Sequence, residues 1–247
     1  MPKNVNSASR LVSLIKSIPT HPDNTQTVEV WALLFQVQER SPQRRGFVVS
    51  ERLGATYREL DIVRLQMEAK DYSEELYAPA ISRLEAAFST MNLYNQWPHA
   101  RQHLTAETMV ALAFCAEIID NEEDLIGTEE LTEIANKVQE LEECLEGTTL
   151  PPRLKSLMLH HIDLIRKALA EYPIAGARAL RQAARTALGE IVEVREEISA
   201  HPNSREIANL GAVWKRVNSA ADLALKADKI AQVGQKAWNL VEGFLPG

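Results

Sequence analysis

The sequence predicts an all-α fold, an irregular multi-helix bundle of about nine helices ending in a long C-terminal helix. Three observations predict it. Apolar residues recur at intervals of three and four almost throughout the 247 residues. No segment sustains the period-two alternation of a half-buried strand. Prolines and Ser/Thr/Asp/Asn clusters fall between the periodic stretches, where helices stop and start.

The first helix, 7–18, places Leu11, Leu14, Ile15 and Ile18 on one face, and Pro19 and Pro22 end it. Cap candidates over 23–25 open a second helix through Trp31, Leu34 and Phe35. The stretch 41–46 reads as a turn-rich break, followed by a longer helix bearing Leu53, Tyr57, Leu60, Val63 and Met67. Ser73 caps the next helix, with Glu74 and Glu75 suited to its dipole, and Pro79 restarts it toward Leu84 and Phe88.

Periodicity then fails over 90–104. The expected organisation is therefore an N-terminal half, 1–91, a connector, 92–104, and a C-terminal half, 105–247, with one continuous domain as the alternative. Thr105 caps a helix to about Asp120, and Thr128 caps another to Glu146. Pro151 and Pro152 suit a first turn for the helix carrying Leu154, Leu157, Met158, Ile162, Ile165 and Leu169. Tyr172-Pro173 restarts the chain into 174–200, and 201–204 caps a last helix of about forty residues. Its apolar face changes from Ile207, Leu210, Trp214 and Val217 to Ile230, Val233, Val241 and Phe244, consistent with one rod or two.

Charge is unevenly divided. Between 117 and 146, twelve acidic residues face one base, Lys137, so this acidic arm carries −11 of a whole-chain −7 and the remainder is +4. A pI near 5.5 argues against a general nucleic-acid binder. Two cysteines make no disulfide framework, and no secretory signature or spanning apolar run is present. A soluble cytoplasmic protein is expected. Cys115 reads as a small core residue in an apolar run, and Cys144 lies among glutamates that disfavour its thiolate.

Phosphate loops, dinucleotide turns and nucleophile elbows are absent, as are the strands they require. His99 and His103 share a face but lack the glutamate of a zincin helix. Of His160, His161 and Asp163, only His160 and Asp163 are spaced to cooperate on a helix, and surface histidines are the expectation. No metal and no cofactor is expected.

Glu117-x-x-Asp120, with Glu140-x-x-Glu143 as a second pair, resembles the divalent-cation site of all-α nucleotide pyrophosphatases, which implies Mg²⁺-dependent nucleotide hydrolysis. A solvated acidic helix is the competing reading. Arg195 and His201, with five residues between them, resemble the Arg-x4–6-His pattern of HEPN-type ribonucleases, implying a dimeric, metal-independent ribonuclease with these two as its pair. Arg153 and His160 also fit the spacing, and about one match is expected by chance at this Arg and His content.

The remaining candidates are surfaces for partners. Tyr94, Trp97 and Arg101 combine stacking faces with a donor in the aperiodic segment, whose plain reading is a connector plugged by Trp97. Arg178, Arg181 and Arg185 form a basic stripe for phosphates, including those of nucleic acid, or for the protein's own acidic arm. Trp238 and Phe244 belong to an apolar tail suited to packing on the body or to a partner's groove. These features favour a non-enzymatic helical interaction or scaffold protein, with a protein partner or self-association, over either enzyme.

Overall fold

The computed structural model describes residues 5–225. Within them lie eleven α-helices, nine of seven residues or more, and no strand, so the all-α bundle holds. The chain divides into two compact units. One comprises Met1–Glu122 with Pro173–Ala175; the other comprises Glu123–Tyr172 with Gly176–Gly247. The 92–104 segment lies inside the first of these units.

The first unit contains α1 (Ser7–Lys16), α2 (Thr27–Leu34), α3 (Pro42–Ala69), α4 (Ala78–Ala87), α5 (Pro98–Arg101) and α6 (Ala106–Ile118). Asn6 starts α1 by a reciprocal cap, its Oδ1 accepting from Ser9 N and Ser9 Oγ accepting from Asn6 N, both at 2.9 Å. The same side chain donates from Nδ2 to the carbonyls of Ala116 and Ile119, tying α1 to the end of α6.

The segment 41–46 is not a break. Ser41 accepts from Arg44 N and Pro42 opens the helix, so the two residues that read as a turn are an N-cap and a first-turn proline. The second helix starts at Thr27, later than its cap candidates suggest. Its first N–H groups donate to carbonyls of the aperiodic segment, Thr27 N to Asn95 O at 2.9 Å and Val28 N to Leu93 O at 2.8 Å. Trp97 N returns a bond to Thr25 O at 2.8 Å. That segment therefore caps α2 and then buries Trp97 edge-on to Trp31, with centroids 5.3 Å apart. Phe88 completes the aromatic centre, 5.4 Å from Trp31.

The second unit contains α7 (Thr128–Cys144), α8 (Pro152–Ala175), α9 (Ala177–Glu193), α10 (Arg195–Ser199) and α11 (Arg205–Ala224), although the last turn of α8 is counted with the first unit. α11 packs against α7 and α9, contributing Ile207, Leu210, Trp214 and Val217 to the core.

Pro173 does not restart the chain as the sequence suggests. It sits within the last turns of α8, and the break falls at Gly176, whose φ of 63° and ψ of −152° are open essentially to glycine alone. The expected helix over 174–200 is accordingly three pieces, parted again at Val194. Ser204 caps the last helix as expected, accepting from Ile207 N at 3.2 Å. The helix runs to Ala224, with Leu225 as its C-cap. The question of one rod or two, and the candidates Trp238 and Phe244, lie outside the described residues.

Candidate functional site

At least half of the acidic arm's twelve carboxylates are engaged within their own unit. In the first, Asp120 meets Lys70 Nζ at 2.6 Å. Glu122 meets the buried Arg10 at 2.9 Å, and Arg10 also pairs with buried Glu59 at 2.8 Å. In the second, Glu123 accepts from Ala177 N at 2.7 Å, and Glu142 meets Arg166 at 2.6 Å. Glu130 and Glu133 share Arg216 at 3.7 and 2.5 Å. The hydrogen bond from Arg166 holds the Glu142 carboxyl below the ordinary carboxylate range.

Glu117 and Asp120 belong to the first unit, Glu140 and Glu143 to the second. Among the described residues, no group of three or more His, Cys, Asp or Glu side chains is placed to hold a metal ion. The arginine stripe does not present one surface either. Arg181 is buried and pairs with Asp222, with Asn218 Oδ1 at 3.4 Å, whereas Arg185 is exposed.

Arg195 lines a polar cavity of about 870 Å³ together with Arg153, Glu193, Glu196 and Glu197. Arg153 pairs with Glu197, so cations and anions neutralise one another along its wall. His201 is not among the lining residues; its Nδ1–H donates to Glu197 O at 2.9 Å. In the 92–104 segment the three candidates part company. Trp97 is core, Arg101 pairs with Asp23 at 2.9 Å, and Tyr94 is exposed with its hydroxyl over Gly46.

One polar constellation escaped the sequence reading. His161 is fully buried, its Nδ1 accepting from Trp214 Nε1–H at 3.1 Å and its Nε2–H donating to Glu190 at 2.9 Å. His160 reaches the other oxygen of the same carboxylate at 3.2 Å, so adjacent histidines converge through a group on a neighbouring helix. The signal was available. His161 stands seven residues after Leu154 and three after Met158, on the core stripe of α8 rather than on its surface. With both ring nitrogens occupied, it pins helices together.

An apolar groove lies along α6. Thr108, Leu112, Cys115 and Ala116 of this helix are buried, Met109, Ala113, Phe114 and Ile118 are partly buried against the same core, and Ala106, Glu107, Val110 and Glu117 are exposed. Burial pushes the Cys115 thiol up to about 11, which leaves it an inert core residue. On the opposite side Ala106, Val110 and Phe114, at i, i+4 and i+8, line a cavity of about 610 Å³ with Leu76, Glu107 and Ala111. Val110 is 70% and Leu76 52% exposed, values that leave large apolar groups in water. Tyr72 stands edge-on to Phe114 at 5.7 Å and stiffens one wall. Glu107 is the one charged lining residue, kept ionised by a hydrogen bond from Thr105 and by its own backbone N–H.

Comparison with protein-family models, with curated proteins and with solved structures finds no match to this chain. Among the described residues no helix is long and apolar enough to cross a membrane.

Proposed function

We propose that the protein is a non-enzymatic helical interaction protein whose α6 groove holds an amphipathic helix of a partner protein. One observation carries the reading: Val110 and Leu76 stand more than half exposed beside the partly buried Phe114, lining one apolar groove. An apolar helix face normally lies against other chain, because leaving it in water forfeits about 25 cal/mol for each Å² of apolar surface. The groove's chemistry narrows the partner. Its apolar floor suits side chains at i, i+3 or i+4, and i+7 of an incoming helix. The single ionised wall residue, Glu107, suits a Lys or Arg on that helix. Asp120, Glu133 and Glu142 of the acidic arm, and Glu197 of the polar cavity wall, by contrast already pair with cations of their own unit.

The test is selection of displayed helical peptides on the full chain, with Val110→Asp as the counter-selecting surface. Enriched amphipathic sequences bearing a basic residue, which bind the wild type and lose at least about tenfold affinity on Val110→Asp, would support the reading. No enrichment over Val110→Asp would overturn it. So would a wild-type dimer that Val110→Asp converts to monomer by sedimentation, because the face would then be covered by a second copy.

A further inference from the structure

His161 sits where three helices of the second unit meet, and its two ring nitrogens do different things. Nδ1 is an acceptor for the indole N–H of Trp214 on α11, at 3.1 Å. Nε2–H is a donor to Glu190 on α9, at 2.9 Å. This arrangement exists only for a neutral imidazole, since the protonated ring carries a hydrogen on both nitrogens and accepts nothing. Protonation would set two N–H donors against each other at the α11 contact while strengthening the contact to Glu190.

We infer that this is an acid-operated latch: a proton on His161 Nδ1 breaks the bond to Trp214 and releases α11 from α8, leaving α8 held to α9. The charged groups facing the imidazole are Glu190 from α9 and His160 on its own helix; α11 presents the uncharged indole. Trp214 approaches the ring edge-on, with centroids 5.6 Å apart. Burial pushes the imidazole down to about 4, opposed by the hydrogen bond and charge of Glu190 and assisted by His160. The latch is therefore closed at neutral pH and opens in acid.

Long-range proton–nitrogen spectra of the full chain at pH 7.5 should show His161 as the Nε2–H tautomer. The Trp214 indole N–H, assigned with Trp214→Phe, should be protected from exchange. Between pH 6 and pH 4 that protection should fall by at least about tenfold while the amides of α1 keep theirs. Glu190→Gln removes the carboxylate that favours the imidazolium and should move the release to lower pH. An Nδ1–H tautomer or an imidazolium at pH 7.5 would overturn the inference. The same holds for Trp214 protection unchanged down to pH 3.5, for loss of α1 protection in the same step, or for Glu190→Gln releasing at the wild-type pH.

Discussion

Replacing Gly176 by alanine should be among the most damaging single-methyl additions in this protein, and the size of the damage can be worked from two independent causes. The backbone there has φ 63° and ψ −152°, a region that costs a non-glycine residue about 1–3 kcal/mol. A Cβ would also collide with the Glu123 carboxylate, which lies directly over Gly176 and accepts from Ala177 N at 2.7 Å. Moving that buried carboxylate forfeits a charge-assisted bond at the start of α9, worth about 1.5–3 kcal/mol. Gly176→Ala is thus expected to cost about 3–5 kcal/mol in urea unfolding followed by far-UV circular dichroism. The two causes separate in a double-mutant cycle. In a Glu123→Ala background the collision is gone, so Gly176→Ala should cost only its backbone share, leaving a coupling of about 2 kcal/mol. Gly189 on the same helix supplies the contrast. A Cβ there meets nothing within 4 Å, and Gly189→Ala should stabilise by about 0.5–1 kcal/mol. The reasoning is refuted if Gly176→Ala costs under about 1 kcal/mol, or if the cycle is additive.

Arg10→Met removes the cation between buried Glu59 and Glu122 and should cost about 3 kcal/mol, with Glu59→Gln in the same chain recovering a good part of it. Amide exchange in α1 reports both. His161 ties stability to pH with a definite sign. Its folded value, about 4, lies below the ordinary 6.5, so its contribution is complete above pH 6.5 and is lost as pH falls toward 4. The loss totals about 3 kcal/mol. The wild-type urea midpoint should fall across that window more steeply than the midpoint of His161→Phe, and parallel curves would refute the assignment. Trp97→Ala opens a cavity beside Trp31 and Phe88 and should cost about 3–5 kcal/mol by the same unfolding measurement.

Helix number and type were legible because each amphipathic stripe repeats over several turns, and a repeat survives local errors. Punctuation was harder to read. Ser41-Pro42 has the same letters whether it ends one element or begins another; what decides is that Ser41 accepts from Arg44 N. Pro173 is weaker punctuation than its letter suggests, since a proline near a helix C-terminus loses one hydrogen bond without stopping the helix, whereas Gly176 stops it by adopting a backbone conformation that other residues disfavour. The aperiodic segment had no period to betray that its carbonyls cap α2, because that bond joins residues nearly seventy positions apart. His161 was legible from its place on the α8 stripe, but its partners on α9 and α11 were not. The apolar run containing Cys115 is core on one face of α6, and Glu107 and Glu117, three residues before and seven after Val110, mark the exposed face in the sequence itself.

The acidic arm is the loudest feature of the sequence and the α6 groove one of the quietest, and their chemical availability runs the other way. A carboxylate advertises itself in composition whether or not a cation sits beside it. Asp120, Glu122, Glu133 and Glu142 each have one within 2.9 Å, so a visiting cation would have to displace a resident already held at high effective concentration. Val110 and Leu76 have no such resident. A partner gains by covering them what the fold itself left unrealised, and that gain is insensitive to salt. Raising ionic strength from 0.05 to 0.5 M should therefore weaken a selected helical peptide by no more than the one Glu107 contact, about 0–1 kcal/mol or up to about fivefold. A loss of a hundredfold or more would mean that charge leads the recognition, and would return the search from the apolar groove to the charged surfaces.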